Sequence, residues 1–264
     1  QKAIPSKASF TQVKAFTTCP KQFKYAHILR LPVEGKHTFS FGKSIHNTLF
    51  QFFKLIKTGG SQEQTDLFGK KTGPSKKSQV SLSQLMEIYE REWIDEWYLS
   101  KEHMEEYYNK GKESLKNFYE SHKNKFPIPL YLEKQFNIKL DKYTFRGVID
   151  RIDQVKEGEV EIIDYKTGQL PKNGKLSPDD KEQLLIYDLA VREVLKLKPV
   201  ILSYYYLEAN KKLSFSSEEE ELIKIKEKLI KLIKDIRKSD FKATPGFWCQ
   251  SCDFREICED RWTS

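Results

Sequence analysis

No stretch of apolar residues in this chain approaches the roughly 20 needed to cross a bilayer, which excludes a membrane-spanning helix. The opening residues have no apolar h-region, so no secretory signal is expected and a cytoplasmic location is. No Met precedes Gln1, and the chain is expected to be an excised or processed piece of something longer. There is no internal repeat. Helix-turn-helix, zinc-finger and RRM signatures are also missing, so sequence-specific reading of nucleic acid is not expected. Cysteine is scarce, with four in 264 residues, and without a sign of secretion this argues against a disulfide scaffold.

What is present is a globular composition. Hydrophobic residues make up 38% and charged residues 32%, with 17 Phe and 13 Tyr, enough for a substantial core and unlike a disordered chain. One large domain over 1–264 is expected. The net charge of +8 and pI near 9.0 favour a polyanionic partner. Many Lys-rich proteins share that balance, so charge alone does not single out nucleic acid.

The segment 9–30 reads as helix, with Ser9 as N-cap, Gln12 three residues on, and Pro20 interrupting it after Cys19. A second helix is expected over 42–57, where Ile45, Leu49, Phe52, Phe53 and Ile56 recur at helical spacing. A flexible loop is expected at about 58–80, followed by a helical insertion at about 81–125. In that insertion Leu82, Leu85, Ile88, Tyr89, Trp93 and Trp97 form a stripe best read as core packing. Strands are expected near 130–140, 143–153, 159–166, 200–208 and 212–216, with helices over 178–197 and 217–238. The order suggests an α/β fold, a mixed sheet with helices on both faces.

Two of those strands carry acids where a half-buried strand normally places apolar residues. Side chains on a strand alternate, so Ile162, Asp164 and Lys166 share one face while Ile163 and Tyr165 take the other. Asp150 lies 14 residues before Asp164, a spacing that suits paired strands joined by a turn at 157–159. Both carboxylates can then reach one ion, and hard oxygen ligands suit Mg²⁺ or Mn²⁺. Lys166 beside them would orient an attacking water and stabilise charge on phosphate oxygens. The alternative is a solvent-facing Asp–Lys pair on an amphipathic strand. Arg151 and Asp153 alternate away from Asp150 and read as a structural pair. Glu133, on the preceding strand, is a candidate for a water-mediated ligand.

Gly147 and Asp150 in 147–153, Asp164 and Lys166 in 164–168, and Gln183 with Tyr187 together resemble the signature of RecB-like nucleases in the PD-(D/E)XK superfamily. The resemblance implies a restriction-endonuclease-like core with a central mixed sheet. It implies Asp150 and Asp164 as metal ligands, Lys166 as the catalytic lysine, and Gln183 and Tyr187 as a pair near the scissile phosphate. Those two are four apart, so on a helix they share a face. It also implies a histidine ligand from an early helix, a position matched by His46. Without the resemblance, His46 beside Ile45 and Leu49 would read as structural, and the other four histidines have no acidic company.

Cys249, Cys252 and Cys258 cluster near the C-terminus and Cys19 lies 230 residues before the first of them. Zinc sites usually take two local pairs, whereas four thiolates can hold a [4Fe–4S] cluster; zinc remains the alternative. The arrangement resembles iron–sulfur nucleases of the AddB helicase–nuclease and CRISPR-adaptation kinds, in which the cluster ties the ends of the domain together and takes no part in hydrolysis. Basic and aromatic residues interleave at Lys14, Phe16, Lys21, Lys24, Tyr25, Tyr107 and Lys110, as candidate contacts to a single strand. The expectation is a Mg²⁺- or Mn²⁺-dependent DNA nuclease acting on single-stranded or unwound ends, the module of a helicase–nuclease in repair or recombination. A free-standing CRISPR-adaptation-type exonuclease and a non-cleaving DNA-binding module are the alternatives.

Overall fold

A strand of 14 residues, β3 (Tyr143–Lys156), organises the sheet because three others pair with it. β2 (Pro129–Leu140) runs antiparallel along one edge. On the other edge β4 (Glu159–Lys166) pairs antiparallel with the second half of β3, and the short β1 (Lys7–Ser9) lies parallel to residues 144–146. β5 (Lys198–Tyr206) adds parallel to β4 and β6 (Lys211–Phe215) antiparallel to β5, giving a mixed sheet. This is a computed structural model, and it describes residues 7–59, 80–123 and 125–262. The expected loop at about 58–80 lies almost wholly outside the described residues.

Helices cover both faces. α1 (Phe10–Thr18) starts at Ser9, whose hydroxyl accepts from the Gln12 N–H, leaving one fewer orphan donor. It stops at Cys19, which Pro20 forces into extended backbone (φ −159°, ψ 114°). α2 (Pro20–Phe23) then runs into a π-helical turn over Lys24–Leu29. α3 (His37–Gly59) buries Phe41, Ile45, Leu49, Phe52 and Phe53 at helical spacing. Full burial of each such side chain contributes about 1.5–3 kcal/mol. With α4 (Leu82–Glu92) and α5 (Lys101–His122), α3 packs on the sheet face carrying Ile163, Tyr165 and Tyr205. α6 (Pro178–Ala190) and α7 (Glu219–Lys238) pack on the other face, against Ile162, Leu202 and Tyr204. A capping box at Ser177 and Asp180, with Pro178 in the first turn, sets the start of α6.

The helical insertion expected over 81–125 consists of two helices. Ser81 and Ser100 each cap one, and the chain between them turns at Trp97 with φ 70°. Trp97 therefore leaves the stripe: it is half exposed, its ring lying over Gly35, whereas Leu85, Ile88 and Tyr89 are buried as expected. β1 went unread because three residues are too short for an alternation to register.

Gly147 faces Phe136 across the β2–β3 ladder, and the Phe136 ring lies over it so closely that a Cβ would sit 2.5 Å away. That ring in turn meets Tyr187 of α6 edge-on, centroids 5.9 Å apart. Gly147→Ala is expected to destabilise the fold by about 1–3 kcal/mol through this overpacking. Urea unfolding reads the change; an unshifted midpoint would mean the ring can move aside.

Candidate active site

The register places the acids together. Arg151 pairs with Ile163 across the β3–β4 ladder, so Asp150 and Asp164 come opposite each other one step further along, on one face. Glu133 of β2 faces Asp150 from the other side, between the registered pairs Leu132–Arg151 and Lys134–Ile149. Its backbone is left-handed (φ 45°), a strained conformation for a long side chain that costs about 1–3 kcal/mol. His46 of α3 closes the group. One ligand atom each from His46, Glu133 and Asp150 lie within 4.8 Å of one another.

The backbone of Tyr165 holds two of these side chains. Its N–H donates to Asp150 Oδ2 (2.9 Å), and its carbonyl oxygen lies 3.1 Å from His46 Nε2. A carbonyl only accepts, so Nε2 carries the hydrogen and neutral His46 presents the Nδ1 lone pair. Nδ1 lies 3.3 Å from Asp150 Oδ2, to which it donates when the ring is protonated and beside which it offers a lone pair when the ring is neutral. Behind the sheet, Arg151 donates to the Tyr165 hydroxyl (2.9 Å) and to Asp153 (2.8 Å), fixing Tyr165 from the opposite face.

Lys166 lies on the Asp164 side. Its Nζ is 2.6 Å from Asp164 Oδ2, 4.6 Å from the Tyr204 ring centroid, and donates to Gln183 Oε1 at 3.1 Å. The Gln183 amide nitrogen donates to Asp164 Oδ1 (3.2 Å) and Tyr187 Oη (2.7 Å). Asp164 is buried, and among the described residues its Oδ2 has no partner apart from the lysine ammonium.

The acids outnumber the cations, and their protonation reflects it. Burial, then Asp150, pushes the Glu133 carboxyl up to about 7. Burial, then Asp150, also raises Asp164, with Lys166 opposing. Burial pulls the His46 imidazole down, but its hydrogen bond to Asp150 and the negative charges of Asp150, Asp164 and Glu133 together outweigh it, and the net shift is upward. Carboxylate oxygens plus one imidazole nitrogen, short of positive charge and partly buried, fit a hard divalent ion.

A family profile described as the PD-(D/E)XK nuclease superfamily matches residues 7–259. This chain belongs to that superfamily. No curated protein sequence matches it significantly. Among solved structures, a candidate exonuclease from Eubacterium rectale superposes with a TM-score of 0.56 at 10% identity, covering 98% of this chain and 90% of that one. At that identity the likeness shows the fold. The protein SSO0001 covers 100% of this chain and 90% of its own at 14% identity, with a TM-score of 0.43, too low to carry an argument.

Placement of the other candidate residues in this nuclease is mixed. All four cysteines line one small cavity where the N- and C-terminal segments meet, and none is disulfide-bonded. Lys21 reaches Glu259 and Asp260 across the same seam, and Thr244 Oγ1 donates to the Thr18 carbonyl. Four of the interleaved basic and aromatic residues have partners within the fold. Lys21 and Lys110 are ion-paired, Phe16 packs on Phe23 and Phe241, and Tyr107 packs on Phe41 and His37. Of the remaining histidines, His37 bonds Tyr107 and His103 accepts from the Leu99 N–H. Glu133, weighed in sequence only for a water-mediated role, stands in direct reach of His46 and Asp150; its strand neighbours carry no local sign of that.

Glu133→Gln and Asp150→Asn are each expected to weaken Mn²⁺ binding at least about tenfold, measured by calorimetry. Unchanged affinity in both would place the ion elsewhere.

Proposed function

We propose that this chain is a Mg²⁺- or Mn²⁺-dependent deoxyribonuclease that hydrolyses phosphodiester bonds in single-stranded or unwound DNA ends. One observation carries the reading: Lys166 stands against Asp164, beside the His46, Glu133 and Asp150 group. His46, Glu133 and Asp150 would hold the ion, with Asp164 as the adjoining carboxylate. When bound, such an ion polarises a phosphoryl oxygen and lowers the pKa of a water.

The remaining work falls to side chains already in place. Lys166, held by Gln183 at 3.1 Å, orients the attacking water and stabilises charge on the phosphate oxygens. Gln183 ties Lys166, Asp164 and Tyr187 into one network, so the ammonium does not swing away between turnovers. A module that only bound DNA would gain nothing from buried, mutually repelling carboxylates. A helicase that supplies unwound ends, in the same polypeptide or complex, is part of the reading and rests on the resemblance of the motifs.

We also assign the cysteine cavity to a [4Fe–4S] cluster held by Cys19, Cys249, Cys252 and Cys258. Zinc sites usually take two local pairs of ligands, whereas here one cysteine lies between α1 and α2 and three lie in the C-terminal coil. A cubane cluster binds each thiolate through a different iron. Its role there is a staple between the chain ends.

Labelled single-stranded DNA is expected to be degraded with Mg²⁺ or Mn²⁺ and left intact with EDTA. Asp164→Ala and Lys166→Ala should each lower the rate by about a hundredfold or more; retained cleavage in both would end the mechanism. Anaerobically purified protein should carry iron and acid-labile sulfide, and Cys19→Ser should lose both and lower the melting temperature. Stoichiometric zinc without iron would overturn the cluster assignment.

A further inference from the structure

α3 turns two unlike faces outward from its axis. One buries Phe41, Ile45, Leu49, Phe52 and Phe53 in the core, where Phe41 meets Tyr107 and Phe52 meets Phe53 edge-on. The other, at spacings of four, three and four residues, carries Phe39, Lys43, His46 and Phe50, within about 60° of arc. These residues, with Glu133 and Asp150, line one open cleft of about 560 Å³. Phe39 is 71% exposed. Neither Phe39 nor Phe50 contacts another aromatic ring among the described residues, and Lys43 is exposed with no ion pair there. The exposed Phe39 ring beside a cluster of acids is not explained by stability, since burial elsewhere would gain more.

We propose that this face of α3 is the track for a single DNA strand, with Phe50 and Phe39 stacking unpaired bases on either side of the candidate metal group and Lys43 meeting the intervening phosphate. The proposal deepens the nuclease reading and rests on it for the position of the scissile phosphate. At about 1.5 Å rise per residue, Phe50 stands about 6 Å and Phe39 about 10 Å along the helix from His46. That is a reach of one to three nucleotides on each side. A ring face accepts any base, so the contact selects for unpaired bases without reading sequence. A duplex keeps its base faces stacked on one another and cannot use either ring.

The test is binding of a labelled oligothymidylate and of a blunt duplex of equal length, by fluorescence anisotropy with Ca²⁺ replacing Mg²⁺. Phe39→Ala is expected to weaken single-strand binding about tenfold and leave duplex binding nearly unchanged, with Phe39→Trp restoring affinity. Phe50→Ala should behave likewise, its melting curve recorded because Phe50 is half-buried. Quenching of a fluorescent adenine analogue on binding, lost in Phe39→Ala, reports the stack directly. Single-strand affinity unchanged in Phe39→Ala, or lost equally for both substrates, would overturn the proposal. If the chain binds DNA but never cuts it with Mg²⁺, the nuclease reading fails while this measurement still stands.

Discussion

Negative charge crowded into a half-buried row is the constraint around which this structure is arranged. Glu133, Asp150 and Asp164 lie across three adjacent strands, and strands are about 4.8 Å apart. Like charges that close disfavour one another's ionisation, and burial adds to the penalty. The upward shifts of Glu133 and Asp164 express both effects. What offsets them is partial: one backbone N–H on Asp150, one ammonium and one amide on Asp164. A divalent ion would supply the rest, which is why the same cluster that burdens the fold suits a hydrolytic site.

The surroundings hold that row rigid from both sides of the sheet. On the face away from the acids, the Arg151–Asp153 pair and the Arg151–Tyr165 bond fix β4 where its backbone meets Asp150 and His46. Arg151 also lies over the Phe53 ring of α3, 4.0 Å from its centroid, so the helix that brings His46 is tied to the strand that receives it. On the other face the missing side chain of Gly147 admits Phe136, which backs Tyr187, which bonds Gln183. A glycine in a strand thus bears on the lysine through a sequence of packed rings and hydrogen bonds.

The cysteine cavity is a separate matter, remote from these contacts in its lining. There Cys19 and the C-terminal coil meet beside aromatic packing, Phe23 stacking on Phe241 and Tyr25 meeting Phe254 edge-on, with ion pairs of Lys21 to Glu259 and Asp260. Exposed ion pairs contribute little, so a bound group spanning Cys19 and the C-terminal coil would add a covalent restraint to that packing.

Much of this was legible in the residues because it depends on local periodicity. Alternation marked β2, β3 and β4, and Asp164 and Lys166 stood out as polar positions on a strand otherwise rich in isoleucine. The Ser9 cap and Pro20 marked helix ends, since capping is a matter of neighbours three residues apart. The position of Glu133 was not legible, because facing Asp150 depends on the β2–β3 register and on a left-handed backbone that no neighbour announces. Nor could spacing tell which aromatics were spent in the core: Phe39 and Phe41 are two residues apart, yet one is exposed and one buried. By itself, then, the sequence determined the elements, their polar intrusions and the superfamily motifs, all set by short-range chemistry. Only the tertiary structure decided which acids share a site, that Cys19 lines one cavity with the three C-terminal cysteines, and which face of α3 opens onto the cleft, because each depends on segments brought together by packing.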